Sequence, residues 1–137
     1  FKKKDATSSR SIFKIPVKGK IINKYNPNSE KRKTQGIDFQ VLPGSQVYAV
    51  SDGRVALVTD NTENFGKIVL IRHENNLISI YGRVAEVLVK KNEPVKKGQK
   101  IGSMVGKTKD GQNFTILHFE IRKGTKSVNP ENYFDNK

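Results

Sequence analysis

Cysteine is absent from the 137 residues, which excludes disulfides, thiolate zinc sites and cysteine nucleophiles. The absence leaves the compartment open. No apolar run approaches the ~20 residues of a membrane-spanning helix, and hydrophobic residues make up 34% of the chain. A surface-rich, soluble domain with no transmembrane segment is expected. There are only two histidines, His73 and His118. No initiator methionine and no secretory leader open the chain. Phe1 is therefore expected to follow a cut in a longer protein or to begin a mature chain, with any targeting or anchoring segment upstream. Acidic residues are few: 13 against 26 basic ones, for a net charge of +13. Such an excess steers a domain toward nucleic acid, acidic envelope polymers, a membrane surface or an acidic protein face. The charge is spread over Lys2, Lys3 and Lys4, over Lys31, Arg32 and Lys33, and over Lys90, Lys91, Lys96, Lys97 and Lys100. A merely solubilising surface is the plain alternative. No helix-turn-helix, zinc-finger or RNA-recognition signature accompanies the charge, so nucleic acid is not expected as a partner.

The length fits one domain with a real core. Residues 1–11, "FKKKDATSSRS", are polar, basic and without period, and read as a flexible basic lead-in to a domain over 12–137. From there the signals are of strands: "IPVKGKI", "QVYAVSDGRVALV", "KIVLIRH", "LISIYGRV", "QKIGSMVGK" and "TILHFEI". The breaks between them carry Gly, Pro, Asn and Asp, as in "LPGS", "HENN" and "KDGQN". An all-β, antiparallel barrel or sandwich follows. Only "VAEVLV", residues 84–89, passes for a short helical turn. "VYAVSDGRVALV" and "NEPVKKGQKIGSM" each place glycine at a turn between β-branched residues. That pattern resembles lipoyl and biotinyl hammerhead domains, but the Asp-Lys-Ala or Met-Lys-Met of those carriers is missing, which argues against a carrier role.

"FTILHFEIRKG", residues 114–124, carries one histidine in an apolar-rich run. As a strand it alternates: Thr115, Leu117, Phe119 and Ile121 face one way, and Ile116, His118 and Glu120 the other. A His-x-His pair would aim two imidazoles into one site, but here the first position is Ile116. His118 then reads as half of a metal site, as the remnant of one, or as a hydrogen-bonded strand histidine.

Four blocks in order, "KTQGIDFQVLPGSQVYAVSDGRVALV", "FGKIVLIRHENNLISIYGRV", "VKKNEPVKKGQKIGSMVGKTKDGQN" and "LHFEIRKGTKSVNPENYF", resemble the lysostaphin/LytM-type zinc endopeptidase domain from about Ile15 to Phe134. The resemblance implies a single LytM-type domain with a central groove. Active members hold zinc through the His and Asp of His-x-x-x-Asp and the second His of His-x-His. The first His of that pair and one in a Tyr-x-His block assist the chemistry. Zinc needs about three protein ligands and an open position for water, whose pKa it lowers.

Carried over position by position, the pattern fails. Asp38 stands where the ligand Asp should, but Thr34 replaces the first zinc His. His118 matches the second His, but Ile116 replaces the catalytic one. Tyr81 is kept and Arg83 replaces the other catalytic His. An arginine is neither base nor ligand at neutral pH, and His73 cannot make good three losses. The resemblance therefore implies a non-enzyme with no cofactor and only vestigial ligand positions, Asp38 and His118. Asp38 capping a turn or pairing with Arg83 is the plain alternative.

Non-catalytic members of the family, of the NlpD and EnvC type, activate envelope amidases that cleave between N-acetylmuramic acid and L-alanine. The ending "LHFEIRKGTKSVNPENYF" resembles that group. By resemblance, a groove of Thr34, Asp38, Tyr81, Arg83, Ile116 and His118 is expected to bind a cell-wall amidase. A second expectation is binding to peptidoglycan or another anionic wall polymer, and a third is residual zinc endopeptidase activity. The expected location is the cell envelope, periplasmic or exported, with a lipid anchor upstream as one variant.

Overall fold

The computed structural model describes residues 13–28, 34–59, 66–104 and 113–134. The expected lead-in and the Lys31–Lys33 cluster lie outside the described residues.

Alternating apolar residues and frequent turn residues produce short strands throughout. These are β1 (Lys20–Asn23), β2 (Ile37–Val41), β3 (Gln46–Tyr48), β4 (Gly53–Thr59), β5 (Lys67–Arg72), β6 (Leu77–Val84), β7 (Glu86–Val87), β8 (Pro94–Val95), β9 (Lys100–Ser103), β10 (Thr115–Lys123) and β11 (Lys126–Val128). A 3-10 turn, Pro130–Asn132, follows, capped by the Asn129 side chain. The expected helical turn at 84–89 is corrected. Val84 ends β6, and Glu86–Val87 pair with β9 as β7. Three valines in six residues favour the pleated strand over the helix.

The larger sheet is antiparallel, in the order β1-β2-β10-β6-β5-β4-β8, with β11 added on β10. The smaller sheet runs β3-β9-β7. The two glycine-turn segments pair crosswise: β3 with β9, and β4 with β8. This is the hammerhead-like arrangement that the sequence suggests. The "HENN" break is a tight hairpin turn. Asn75 and Asn76 adopt φ of 63° and 64°, as a type I′ turn requires, and the His73 amide donates to the Leu77 carbonyl at 2.8 Å.

The core lies on the face bearing Ile37, Phe39 and Val41 of β2, Leu117, Phe119 and Ile121 of β10, and Tyr81 of β6. Aromatic rings chain through it, with Tyr81 edge-on to Phe119 at 5.3 Å and Phe119 stacked on Phe134 at 5.8 Å. Burying each such ring contributes about 1.5–3 kcal/mol. Phe13 ties the two ends of the domain together, its amide donating to the Tyr133 carbonyl at 2.9 Å. The alternate residues of β2 and β10 face away from this core and build the site.

Candidate functional site: an ion-paired strand face

β2 and β10 pair antiparallel with His118 opposite Asp38 and Ile116 opposite Gln40. Facing residues on adjacent strands bring side chains into contact. His118 Nδ1 lies 2.7 Å from Asp38 Oδ1, and its Nε2 lies 2.8 Å from Glu120 Oε2. The chain of contacts continues at both ends. Asn23 donates to Asp38 Oδ2 at 2.8 Å. Arg122 donates to Glu120 Oε1 through Nη2 at 2.8 Å and through Nε at 3.2 Å.

A break in register puts Asn23 there. β1 pairs Ile21 with Phe39 but Asn23 with Asp38, so one residue bulges between them. Such a bulge re-aims a side chain, and here it brings Asn23 onto the face of Asp38.

A carboxylate only accepts, so each ring nitrogen of His118 donates, and the ring is an imidazolium. Burial opposes that charge, but the hydrogen bonds and negative charges of Asp38 and Glu120 outweigh it and push His118 up to about 9. Burial likewise works against the Asp38 anion. The His118 and Asn23 hydrogen bonds, with the His118 and Arg83 charges, outweigh it and hold Asp38 below its ordinary value. Glu120 is held down in the same way by His118 and Arg122.

These residues do not fit the zinc that active members of the resembled family hold. Ligands must be deprotonated and must converge on one point. Here the two carboxylates flank one imidazole at its opposite nitrogens and aim at the ring. Thr34 Oγ1 donates to the Lys24 carbonyl at 2.6 Å, and the Thr34 backbone pairs with Asn26. Its hydroxyl fastens a loop. No group of three or more His, Cys, Asp or Glu able to hold a metal ion occurs among the described residues.

Arg83 is exposed, with φ of 66°. Between Lys67 opposite Val84 and Val69 opposite Tyr81, β6 carries an extra residue. The bulge takes Arg83 out of the strict alternation that buries Leu77, Ser79 and Tyr81. A left-handed arginine costs about 1–2 kcal/mol, so the surroundings hold it there, and its charge is felt at Asp38. Ile116 is half-buried on the face of His118.

Tyr81 is a correction: it does not line the groove. It is fully buried in the core. Its hydroxyl accepts the Val50 amide at 3.1 Å and lies 3.0 Å from Ser79 Oγ. His73 continues that chain, with Nε2 2.8 Å from Ser79 Oγ and Nδ1 2.7 Å from the Asp52 carbonyl. Burial lowers the His73 pKa. The second histidine thus belongs to a core polar chain, apart from His118.

Glu120, Arg122 and Asn23 complete the site. The first two were within reach of the sequence, since His118, Glu120 and Arg122 alternate in charge at period two. Past Gln40, which pairs opposite Ile116, lies a groove of about 460 Å³ lined by Lys18, Lys20, Gln40, Leu42 and Phe114, and none of Thr34, Asp38, Tyr81, Arg83, Ile116 and His118 is among its lining. Leu42 is 70% exposed there.

Residues 32–130 match the family described as Peptidase family M23. Among curated proteins, the chain is 37% identical over 123 residues to the murein hydrolase activator NlpD of Escherichia coli, covering 90% of this chain and 31% of that protein. It is 36% identical over 118 residues to the lipoprotein NlpD/LppB homolog of Pseudomonas aeruginosa, covering 86% and 38%. The chain therefore spans under two-fifths of the length of either relative. Among solved structures, Helicobacter pylori Csd3 superposes with a TM-score of 0.78 at 28% identity, over 95% of this chain and 36% of that one.

Proposed function

This chain belongs to peptidase family M23, and within that family we propose that it is a non-catalytic regulator of peptidoglycan hydrolysis. It binds and activates a cell-wall N-acetylmuramoyl-L-alanine amidase through its groove, in the cell envelope, as part of an exported or lipid-anchored protein. One observation carries the reading. Both nitrogens of His118 are held by carboxylates, so the ring is engaged where a metal would bind, and an open groove lies farther along the same strand pair at Gln40 and Phe114. Relatives named murein hydrolase activator and lipoprotein support the same reading.

The mechanism is a population shift. A groove that binds an amidase element better in its displaced state moves the enzyme toward its open form, by as much as the difference in affinity. Arg83 offers a charged hydrogen bond to an acidic residue of that element, about 1.5–3 kcal/mol. Ile116 offers an apolar contact. Asp38 and His118 form the floor, and Thr34 holds the adjoining loop.

The test is dye release from labelled peptidoglycan by the chain, by the amidase of the same organism, and by both. The expected outcome is release by the pair above that of the amidase alone, reduced by Arg83→Ala and by Ile116→Asp. Release by the chain alone, or stimulation indifferent to both substitutions, refutes the groove mechanism. The +13 charge favours a second reading, direct binding to anionic wall polymer, which predicts steep loss of binding with salt and no effect of Ile116→Asp.

A further inference from the structure

At the β8 edge of the large sheet, the chain makes the same turn twice. Its segment 88–101 leaves and rejoins the small sheet at one point, where the Leu88 amide donates to the Ile101 carbonyl at 2.9 Å. Within it lie Lys90-Lys91-Asn92-Glu93 and Lys96-Lys97-Gly98-Gln99. Each closes with a bond from the fourth amide to the first carbonyl, Glu93 to Lys90 at 3.1 Å and Gln99 to Lys96 at 2.9 Å. The third residue is left-handed in both, at 76° for Asn92 and 84° for Gly98, as a type II turn demands. The fourth side chain accepts the first residue's amide at 3.0 Å in both. β8 joins the turns and fixes them to Gly53 and Arg54 of β4.

The doubled turn displays cations. Five lysines stand against one acid, Glu93, between residues 88 and 101, and Glu93 is engaged in capping the first turn. Arg54 Nη1 donates to the Asn92 carbonyl at 2.7 Å. Lys14 runs over the second turn, so that a Cβ on Gly98 would stand 3.8 Å from its Cδ. Its Nζ lies 5.4 Å from the Tyr48 ring centre. Asp52 is tied in as well, accepting the Lys97 amide at 2.8 Å. Two exposed apolar residues adjoin these lysines in sequence, Leu88 at 50% exposure and Ile15, next to Lys14, at 41%.

We propose that this doubled dilysine turn, with Lys14, Lys100, Leu88 and Ile15, is a docking surface for an anionic phospholipid bilayer. Phosphate headgroups take the lysines, and hydrocarbon below them takes the leucine and isoleucine. A soluble polyanion would use only the charges. β8 and β1 end opposite sides of the sheet order, so the turns lie at the other edge of the sheet from the β1–β2 pairing. The assignment does not depend on what the groove binds.

The test is cosedimentation of the chain with vesicles of phosphatidylcholine, alone and mixed three to one with phosphatidylglycerol. Binding is expected only to the mixed vesicles. At about 1 kcal/mol per lysine near such a surface, Lys90→Gln with Lys91→Gln lowers the partition coefficient by on the order of 30-fold. The turns survive these changes because the lysine backbone, not the side chain, closes them. Leu88→Ser lowers it about threefold or more. Lys123→Gln with Lys126→Gln, the same change in net charge on the β10–β11 hairpin, has an effect within about twofold. Equal losses from the two lysine pairs would mean net charge rather than a built surface, and would overturn the proposal. So would the absence of vesicle binding alongside binding to isolated peptidoglycan that falls with Lys90 and Lys91.

Discussion

Replacing His118 with asparagine removes one cation from between two anions, and the cost must depend on pH. In the folded chain His118 is pushed from its ordinary 6.5 to about 9. A group whose pKa rises on folding contributes its stability fully below the unfolded value and loses it as pH climbs through the folded value. At 1.36 kcal/mol per unit, the interval sets a ceiling of about 3 kcal/mol. The side chains of His118 and Asp38 remain 27% and 21% exposed, so solvent screening reduces the figure to about 1–2 kcal/mol. Overall charge acts in the opposite direction. With +13 at neutrality, raising pH relieves repulsion throughout the fold, so the native chain alone gives an ambiguous slope. The difference between native and His118→Asn chains cancels that background. Thermal melts at pH 6 and pH 9.5 should show a gap that shrinks by about 1–2 kcal/mol at the higher pH, or roughly 5 °C for a domain of this size. The reasoning fails if the gap is the same at both values, or if the His118 ring carbon titrates near 6.5 by NMR.

Tyr81→Phe leaves the Val50 amide without its acceptor in the core, at a cost of about 1–3 kcal/mol. Urea unfolding should show the lower midpoint, while stimulation of the amidase by the folded chain stays at the native level, because Tyr81 does not reach the groove. Gly36→Ala places a Cβ 2.3 Å from the Phe119 carbonyl and 2.6 Å from Glu120 Cγ. β2 and β10 must part to admit it, which costs about 1–3 kcal/mol and loosens the ion pairs. The melting temperature should fall, and the His118 pKa with it. An alanine at 36 that leaves both unchanged would refute the close approach of these strands.

The period-two pattern of "FTILHFEIRKG" placed Ile116, His118 and Glu120 on one face of β10, where they lie. The same period in "LISIYGRV" groups Tyr81 with Leu77 and Ser79, and all three are buried. Tyr81 is expected in the groove from its motif position alone. Ser79 is there to link His73 to Tyr81. Neither bulge was legible. A register shift depends on how two distant strands meet, and no local pattern reports that Asn23 faces Asp38 or that Arg83 turns left-handed. The doubled turn was visible as text in "KKNEPVKKGQ", but its shared capping becomes evident only from the bonds.

The ion pairs and the lysine turns divide the electrostatics of the molecule. On the β2–β10 face, Asp38 and Glu120 are met by His118 and Arg122, with Arg83 adding one more cation. Lys18 and Lys20 line the adjoining groove, so the face keeps a cationic excess, but its two carboxylates are each held in an ion pair. Contacts made there discriminate by fit and by the desolvation of a few groups. The 88–101 turns concentrate five lysines of the +13 against one acid at the β8 edge. Attraction falls off over a Debye length of about 8 Å at physiological salt, so on the proposed reading an anionic surface meets first the edge where cations most outnumber acids. Charge would then orient the domain, and the groove would select its partner. Reversing the lysines should change where the chain resides and leave the affinity of the groove for its partner in solution intact.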